Sequence, residues 1–421
     1  MPLPKGLKMK CKFCKTKIDE PIFDLGNTAI SNALIKEEDF HNKEILYPLI
    51  LYICPKCFLV QIDEQASSKV IFDDEYVYFS SLSLYWLEHM QKYSEHIINR
   101  LDLSEKSFVV EIASNDGYLL RNFVSKGIDC LGIEPTKSTA KVAISKGIPT
   151  LMDFFDFSLA KRLSNEGKKA DLIIANNVLA HVPTINNFVS GFKELLKPEG
   201  TITIEFPHVL RMFEKNEFDT IYHEHYFYFS IYSLKIILLE HKLSIYNIDE
   251  LDTHGGSLRV YVTHVNNRLD IGSDKASVNS ILEQEMEAGM GSLRYYKSLQ
   301  KNAFSIKKYF LNYITRQKSE NKTIVAFGAA AKGNTFLNYC GVKSDFIDFV
   351  VDETPFKIGK YLPQSKIPIF PFDKILEVRP DIIIILPWNH KEEIVKKLSF
   401  VKDWGAIIVV FIPKFEVLNL E

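Results

Sequence analysis

Residues 108–118 read FVVEIASNDGY, a short apolar run followed by a turn of small and polar residues. The run has the length and the β-branched composition of a buried strand. Further apolar runs follow near residues 130–133, 149–155, 170–177 and 201–206, with amphipathic helical patterns between them. Strands that alternate with helices predict a parallel α/β sheet, in which a ligand binds beyond the carboxyl ends of the strands.

The turn and the end of the second strand carry groups suited to a nucleoside cofactor. Gly117 would let the backbone approach the cofactor, and the carboxylate of Glu134 can accept hydrogen bonds from both ribose hydroxyls. The order of these signals resembles a Rossmann-like methyltransferase that uses S-adenosylmethionine. A nicotinamide dinucleotide is the competing ligand, but the turn lacks G-x-G-x-x-G, and KPEG at residues 197–200 before a further strand is typical of methyltransferases. Phe154 and Phe155 are expected to flank the adenine. The residues expected to bind the cofactor are Glu111, Asn115, Asp116, Gly117, Tyr118, Glu134, Asp153, Phe154, Phe155 and Asn176.

Four of the six cysteines form two C-x-x-C pairs, Cys11 with Cys14 and Cys54 with Cys57. In a reducing compartment such pairs indicate a tetrahedral zinc site rather than disulfides. Four thiolates leave no open position for water, so the predicted zinc is structural.

Residues 222–230, YHEHYFYFS, concentrate two imidazoles, a carboxylate and several aromatic rings. In a strand His223 and His225 would face the same side, whereas in a loop Tyr222, Glu224 and His225 could converge. A general base is the first interpretation, histidines that only stabilise the fold the second, and a metal site the third, since the spacing differs from helical H-E-x-x-H.

A second α/β unit begins with a strand at residues 323–327 and the turn GAAAKGNT at residues 328–335. A helix that starts in such a turn offers free N–H groups to a phosphate or diphosphate, and Lys332 adds a cation. The motif HGGSLR at residues 254–259 is equally compatible with a plain turn and with a ligand contact. The residues expected to bind substrate are Tyr78, His254, Ser257, Arg259, Gly328, Ala330, Lys332, Gly333, Asn334, Asp352, Lys357, Trp388 and Asn389.

These patterns predict four segments in the 421-residue chain. They are a zinc module (1–75), a methyltransferase domain with a catalytic insert (76–270), a helical connector (271–318) and a C-terminal α/β nucleotide-sugar-binding domain (319–421). The net charge of −2 argues against nucleic-acid binding by bulk charge. No apolar run reaches the length of a membrane span, and the first residues lack the apolar core of a signal peptide, so a cytoplasmic monomer is expected.

Together these motifs resemble, over the whole chain, the sugar C-methyltransferases that act on nucleotide-linked 4-keto deoxysugars. The resemblance is carried by the double C-x-x-C, YVYFS at 76–80, residues 111–117, YHEH at 222–225, HGGSLR and the 328–334 turn. It implies that a base removes the proton beside the ketone and that the enolate carbon takes the methyl group. It further implies a thymidine- or guanosine-diphosphate substrate, held by the C-terminal domain and methylated at carbon 3 in many relatives. The catalytic residues that it implies are His225 as the base, with Tyr222, Glu224, Tyr76 and His181 around the sugar.

Two other functions remain open at this point. An O- or N-methyltransferase of a nucleotide sugar would use His225 on a hydroxyl or amine instead. A zinc-dependent RNA-binding module with a vestigial methyltransferase fold is the remoter alternative, which the near-zero charge and the intact His/Glu cluster oppose. Carbon 3 and carbon 5 are not distinguished, and neither are the nucleoside base and the sugar.

Overall fold

The computed structural model describes residues 9–65, 79–272 and 275–419. In these residues the strands are β1 (Met9–Lys10), β2 (Lys17–Ile18), β3 (Pro21–Thr28), β4 (Tyr47–Ile53), β5 (Val60–Ile62), β6 (Phe108–Ile112), β7 (Asp129–Ile133), β8 (Thr150–Leu151), β9 (Ala170–Asn176), β10 (Leu196–Pro207), β11 (Phe227–Tyr228), β12 (Leu243–Leu251), β13 (Ser257–His264), β14 (Ile324–Phe327), β15 (Val350–Val351), β16 (Ile369–Phe370), β17 (Ile382–Ile385), β18 (Ile407–Val410) and β19 (Glu416–Leu418). The helices are α1 (Leu84–Leu101), α2 (Arg121–Val124), α3 (Lys137–Ser145), α4 (Phe157–Asn165), α5 (Ile185–Leu195), α6 (Val209–Glu214), α7 (Ile231–Glu240), α8 (Arg268–Gly272), α9 (Ala276–Glu287), α10 (Leu293–Tyr296), α11 (Ser298–Ser319), α12 (Ala331–Cys340), α13 (Lys374–Val378) and α14 (Lys391–Lys397).

The N-terminal unit is an antiparallel sheet in the order β11-β5-β4-β3, with the β1/β2 hairpin beside it. Its fourth strand, β11, comes from the histidine-rich stretch at residues 222–230, and Phe227 pairs with Gln61. The rest of that stretch forms a turn, in which the His225 N–H donates to the carbonyl of Tyr222 at 2.9 Å. The loop interpretation therefore holds for residues 222–226, and the small sheet anchors the end of this loop.

The central unit is a seven-stranded sheet in the order β12-β13-β10-β9-β6-β7-β8. Strands β6 to β10 are parallel, and β13 runs antiparallel between β10 and β12. The strand order reverses between β6 and β9, so the turn after β6 lies at the switch point where such sheets bind ligands. This arrangement confirms the predicted Rossmann-like methyltransferase fold.

The predicted strand near residues 149–155 is much shorter in the structure. β8 ends at Leu151, where the N–H of Asp153 turns back to the Leu151 carbonyl. Asp156 then caps α4 by accepting the N–H of Leu159 at 2.8 Å. The residues after Leu151 therefore lead into a helix, and the alternation expected of a strand does not apply to them.

The C-terminal unit is a six-stranded sheet in the order β16-β15-β14-β17-β18-β19. Its strands are parallel except β19, and the order reverses between β14 and β17. The turn after β14 thus occupies the position that the turn after β6 has in the central unit. The predicted second Rossmann-like unit is confirmed by this sheet.

The helical stretch predicted for residues 275–318 is divided into α9, α10 and α11. Gly289, with a φ of +90°, follows α9 and ends it. α9 packs on the central unit, because the buried Glu285 accepts the N–H groups of Ile231 and Tyr232 at the start of α7. Within the described ranges no helix combines the length and the hydropathy needed to span a bilayer.

Candidate active site

The four predicted metal ligands meet in the N-terminal unit. The sulfur atoms of Cys11 and Cys57 are 3.7 Å apart, and Cys14 lies 3.5 Å from Cys54 and 3.7 Å from Cys57. Zn–S bonds of about 2.3 Å directed to the corners of a tetrahedron separate the sulfurs by about 3.8 Å. The donor set therefore fits a structural zinc ion. Gln61 of β5 donates to the Cys11 sulfur at 3.3 Å, which links the metal site to the strand that pairs with β11.

The turn after β6 has the geometry of a cofactor-binding loop. Ala113, Asn115 and Gly117 all have positive φ values, of 56°, 52° and 77°. A Cβ on Gly117 would lie 2.8 Å from Ile148, so this glycine is required by a neighbouring side chain and not only by a ligand. Glu134, at the end of β7, accepts the N–H of Asn115 at 2.9 Å. Its other oxygen accepts the N–H of Thr136 at 2.8 Å. Burial raises the pKa of Glu134, while hydrogen bonds from the Thr136 and Thr139 side chains act to lower it. A ribose hydroxyl would share these oxygens with the protein donors.

Other predicted cofactor residues lie around this loop. The buried Asp116 bonds to the Ser81 hydroxyl and, at 3.1 Å, to Lys146. Burial raises the pKa of Glu111, whose carboxyl is hydrogen-bonded to the Tyr118 side chain. Tyr118 itself packs near Trp86, at a ring-centroid distance of 6.4 Å.

The two phenylalanines expected at the adenine face different surroundings. Phe155 is buried against Phe188 and Phe192, at ring-centroid distances of 5.2 and 5.8 Å, so it is a core residue. Phe154 is half exposed and Asp153 is also exposed, so these two can reach a ligand at the sheet edge. We therefore keep only Phe154 as the candidate aromatic wall for the adenine.

Two asparagines at the end of β9 carry unused hydrogen-bonding groups. The Oδ1 atom of Asn176 and both amide atoms of Asn177 are buried and have no partner among the described residues. Burying such groups without partners is costly, so they are candidates to bind a ligand at the switch point. Sequence analysis named Asn176 and missed Asn177. The structure distinguishes Asn177 by its positive φ of +52°.

The ring of His225 is held in one tautomer. Its Nδ1 lies 3.1 Å from the carbonyl oxygen of Thr220, which can only accept, so Nδ1 carries the proton. Nε2 therefore has the lone pair, and the Tyr222 hydroxyl donates to it at 2.9 Å. Burial, followed by the nearby His181, lowers the pKa of His225 well below its usual value. At neutral pH the ring is thus an uncharged proton acceptor.

His181, at the end of β9, contacts His225 edge to face at a centroid distance of 4.7 Å. Burial lowers the pKa of His181 to about 4. Glu224 is 2% exposed, and burial raises its pKa to about 7, while a hydrogen bond from Asn32 acts in the opposite direction. His223 turns away from these groups and bonds to the carbonyl of Pro48 at 3.3 Å, which is a structural role.

The C-terminal unit brings Lys332 to this cluster. Lys332 lies in the first turn of α12, donates to Asn389 at 2.8 Å and lies 4.5 Å from the ring of Trp388. Burial, and after it the charge of Lys332, lowers the pKa of His254 to about 4. The charge of Lys332 is also a minor cause of the lowered pKa of His225. Lys332, His181, His225 and His254 are all partly exposed. Burial, and after it the charge of Lys332, also lowers the pKa of the partly exposed His390. Sequence analysis did not identify His390 as a site residue.

Two buried carboxylates beside Lys332 were also missed. Burial raises the pKa of Glu217 to about 8 and that of Asp219 to about 6. The indole N–H of Trp388 donates to Asp219 Oδ2 at 2.7 Å. One oxygen of each carboxyl, Glu217 Oε1 and Asp219 Oδ1, has no partner in the described part of the chain. The charge of Lys332 is therefore already shared with acidic groups of the protein, which weakens its expected role as a free phosphate-binding cation.

The HGGSLR motif is used mainly within the protein. A Cβ on Gly255 would lie 2.3 Å from Glu217 Oε1, so this position requires glycine because of a neighbouring protein group. Ser257 donates to the Thr253 carbonyl at 2.9 Å. Arg259 is buried and pairs with Glu205 at 2.5 Å. Of the predicted substrate residues in this motif, His254 is partly exposed, whereas Ser257 and Arg259 are buried.

The turn after β14 has internal partners for most of its predicted ligand groups. Asp352 accepts the Ala329 N–H at 2.8 Å and pairs with Lys357 at 3.2 Å. A Cβ on Gly328 would lie 2.5 Å from Pro387, and one on Gly333 would lie 2.6 Å from Leu386. These contacts explain both glycines without a ligand.

Two features of this turn still suit a ligand. Ala330, at the N-cap of α12, provides no side-chain cap, so the first N–H groups of the helix keep their capacity to bind an anion. The amide of the fully buried Asn334 has no partner among the described residues. Tyr76 and Tyr78 lie outside the described residues.

Three family models match successive parts of the chain. Their descriptions are "Putative zinc binding domain" for residues 11–72, "Methyltransferase domain" for residues 86–246 and "C-methyltransferase C-terminal domain" for residues 252–413. The first match includes all four cysteines, and the second includes the turn after β6. The predicted zinc module and S-adenosylmethionine-dependent domain are thus confirmed.

Curated relatives were found for the whole chain and for part of it. The chain is 28% identical to the C-methyltransferase NovU of Streptomyces niveus over 412 residues, which is 98% of this chain and 97% of the relative. A ubiquinone biosynthesis O-methyltransferase of Bartonella tribocorum is 27% identical over 97 residues, 23% of this chain and 39% of the relative. A magnesium protoporphyrin IX methyltransferase of Synechocystis PCC 6803, solved with bound SAM, has a TM-score of 0.32 and 16% identity, covering 47% of this chain and 88% of that one. The domain matches and the full-length relative support an S-adenosylmethionine-dependent C-methyltransferase similar to NovU.

Proposed function

We propose that this protein methylates a ring carbon, carbon 3 in the first instance, beside the ketone of a nucleotide-diphospho-4-keto-6-deoxysugar. The observation that carries the proposal is the tautomer of His225. Its Nδ1 proton is engaged by Thr220, so its Nε2 carries the lone pair, next to the Tyr222 hydroxyl on a partly exposed ring. A neutral base in such a site suits the removal of a proton from carbon, which a neighbouring ketone acidifies.

In this reaction Nε2 of His225 takes the proton from the carbon next to the ketone. The Tyr222 hydroxyl, 2.9 Å from Nε2, can rotate its O–H toward the ketone oxygen and leave the lone pair free. It then donates a hydrogen bond to the enolate oxygen as negative charge develops there. Lys332, whose charge already acts on His225, favours the same anion.

S-Adenosylmethionine, when bound, supplies the methyl group as an electrophilic sulfonium. Glu134 would hold its ribose, Phe154 its adenine, and the turn after β6 its amino-acid portion. The uncapped start of α12 would bind the diphosphate of the sugar nucleotide. His181 follows β9, the neighbour of β6, and contacts His225, while Lys332 follows β14 and acts on His225 by its charge. Ligands bound at the ends of the two sheets would therefore meet near His225.

The test incubates the purified protein with S-adenosylmethionine and a panel of thymidine- and guanosine-diphospho-4-keto-6-deoxysugars. Transfer from a carbon-13-labelled methyl donor and NMR of the product identify the methylated atom. We expect a methyl on a ring carbon, and a loss of about a thousandfold or more in His225→Ala. The matched control is His96→Ala, since His96 is exposed on α1.

Similarity to an O-methyltransferase over 97 residues keeps O-methylation as the second candidate. Exchange of the sugar proton with deuterated solvent separates the two reactions. A C-methyltransferase base exchanges that proton even without the methyl donor, whereas a base acting on a hydroxyl does not. A methyl on oxygen or nitrogen would contradict the proposal.

A further inference from the structure

The loop that carries His225 is tied to the C-terminal unit by a buried hydrogen bond. The indole Nε1 of Trp388 donates to Oδ2 of Asp219 at 2.7 Å. The two residues are 7% and 1% exposed, so water does not compete with this bond. Trp388 follows β17 in a 3-10 turn, and Asp219 lies in the 3-10 turn Phe218–Thr220.

Asp219 is adjacent to the group that fixes the histidine tautomer. Asp219 directly precedes Thr220, the Thr220 N–H donates to the carbonyl of Glu217 at 3.1 Å, and the carbonyl of Thr220 accepts the Nδ1 proton of His225. The Thr220 hydroxyl donates to the carbonyl of Glu217 at 2.6 Å, which closes the turn. A shift of this turn would therefore move the acceptor on which the Nε2 lone pair of His225 depends.

We propose that Trp388 is a positioning residue for the base. Its indole N–H holds Asp219 in place, and Asp219 in turn fixes the position of the adjacent Thr220 carbonyl. That carbonyl keeps His225 protonated at Nδ1. The reaction served is the proposed C-methylation, so in that respect the inference rests on the proposed function. The chain of contacts from Trp388 to His225 is independent of the substrate.

Packing or substrate binding alone does not account for this contact. Trp404 shows what an indole outside the site does: its Nε1 donates to the carbonyl of Pro380 at 3.0 Å. Trp388 instead gives its N–H to a buried carboxylate, and this use leaves no indole donor for a sugar or phosphate.

The charges around Asp219 give the contact a pH signature. Burial raises the pKa of Asp219 to about 6, while Lys332 and the Trp388 N–H act to lower it. Glu217, in the same loop, also faces these groups. In a variant without the indole N–H, the Asp219 carboxyl would protonate at a higher pH. The activity lost in that variant should therefore increase as the pH falls below about 7.

The experiment compares Trp388→Phe with the matched control Trp404→Phe in the full-length, zinc-loaded protein. Long-range proton–nitrogen NMR of the histidine rings reports the tautomer of His225, assigned by its disappearance in His225→Gln. We expect the Nδ1-H form in the wild type and in Trp404→Phe, and a mixture of tautomers in Trp388→Phe. This readout needs no substrate.

Kinetics with thymidine diphospho-4-keto-6-deoxyglucose supply the second readout. For Trp388→Phe we expect kcat to fall about tenfold, with KM within twofold and a larger deficit at pH 6.5 than at pH 8.5. Asp219→Asn keeps an oxygen acceptor for the indole and should retain more activity than Asp219→Leu.

Two outcomes would overturn the inference. One is a Trp388→Phe protein that matches Trp404→Phe in tautomer and kcat. The other is a raised KM with an unchanged tautomer, which would assign Trp388 to substrate binding. If the wild type transfers no methyl group to carbon, the proposed function fails, while the tautomer comparison still decides the role of Trp388.

Discussion

Asn32 donates a hydrogen bond from Nδ2 to Oε1 of Glu224 at 2.6 Å, which joins the N-terminal unit to the candidate catalytic loop. The Glu224 carboxyl is buried, and burial raises its pKa to about 7. The hydrogen bond from Asn32 acts to lower that pKa. The ionisation of Glu224 near neutral pH therefore depends on a residue 192 positions earlier in the chain.

Replacement of Asn32 by alanine should shift the acid limb of the pH–rate profile. Loss of the donor raises the pKa of Glu224 further, so its ionised form is lost at a higher pH. With Glu224 beside the sugar, as proposed, we expect the limb in kcat/KM to move up by about one pH unit. Asn42→Ala is the matched control, since the Asn42 side chain donates to the exposed Asp39 at 2.8 Å. Identical limbs in the two variants would contradict this prediction.

Glu217 should make the protein less stable as the pH rises. Burial raises its pKa from 4.5 to about 8, so between these values the folded chain holds a proton that the unfolded chain has lost. The free energy of unfolding must then fall with rising pH, by about 2.5 kcal/mol between pH 6 and pH 8 from this group. Asp219 and Glu224 add smaller slopes of the same sign.

Urea unfolding at pH 6, 7 and 8 measures this slope. In Glu217→Gln it should be shallower, with the variant more stable than the wild type at pH 8. The exposed Glu38→Gln should keep the wild-type slope. A Glu217→Gln protein with an unchanged slope would show that Glu217 is ionised in the folded state.

Removal of zinc should lower the rate of methyl transfer at least tenfold while leaving binding of the methyl donor largely intact. The Cys11 sulfur is bonded to Gln61, and Gln61 pairs with Phe227 two residues after His225. The turn after β6 belongs to another sheet, and among residues 9–65, 79–272 and 275–419 no hydrogen bond joins it to the four cysteines or to Gln61. We expect Cys57→Ser to lose its zinc and at least tenfold in kcat, with the Kd for S-adenosylmethionine within about threefold of the wild type.

Zinc content by atomic emission and donor affinity by calorimetry check this prediction. Cys130→Ala is the control, because Cys130 is buried in β7, away from the four ligands. Full activity in a zinc-free Cys57→Ser protein would mean that the small sheet holds β11 without the metal.

The sequence predicted the parts of the site whose members are close in the chain. Each predicted motif places its functional groups within a few positions of the chain. These motifs are the two C-x-x-C pairs, the turn after β6 and residues 222–225. Contacts such as that between Asp219 and Trp388, which are 169 residues apart, have no local signal. From the sequence alone, Glu217 and Asp219 are indistinguishable from surface carboxylates, and only the fold shows that they are buried.

The phenylalanine pair shows a different limit. Adjacent apolar residues face opposite sides only if the strand continues, and β8 ends at Leu151. The sequence alone could not tell which of Phe154 and Phe155 faces a ligand. Likewise, Gly328 and Gly333 are predicted from the sequence to bind substrate, and the HGGSLR motif fits a plain turn and a ligand contact equally well. A Cβ at Gly255, Gly328 or Gly333 would meet a side chain of the protein.

Gly333 offers the clearest test of that last point. A Cβ there would lie 2.6 Å from the Cβ and 2.9 Å from the Cδ1 of Leu386, which is 4% exposed and cannot easily move. Alanine gains up to about 1 kcal/mol of helix propensity over glycine, but overpacking of a buried contact costs about 1–3 kcal/mol. Since the closest atom is a Cβ rather than the end of a flexible chain, the clash should dominate. We expect Gly333→Ala to lower the free energy of unfolding by about 1–2 kcal/mol in urea.

The control is Gly291→Ala, whose Cβ would lie 3.5 Å from the flexible end of Met286 and should change stability by less than about 0.5 kcal/mol. Because α12 must move away from Leu386 to accommodate the alanine side chain, Lys332, one residue earlier, moves with it. In the folded variant the KM for the sugar nucleotide should therefore rise, with the Kd for S-adenosylmethionine unchanged. A Gly333→Ala protein as stable as Gly291→Ala, yet with a raised KM, would instead place the glycine against the ligand, as the sequence had suggested.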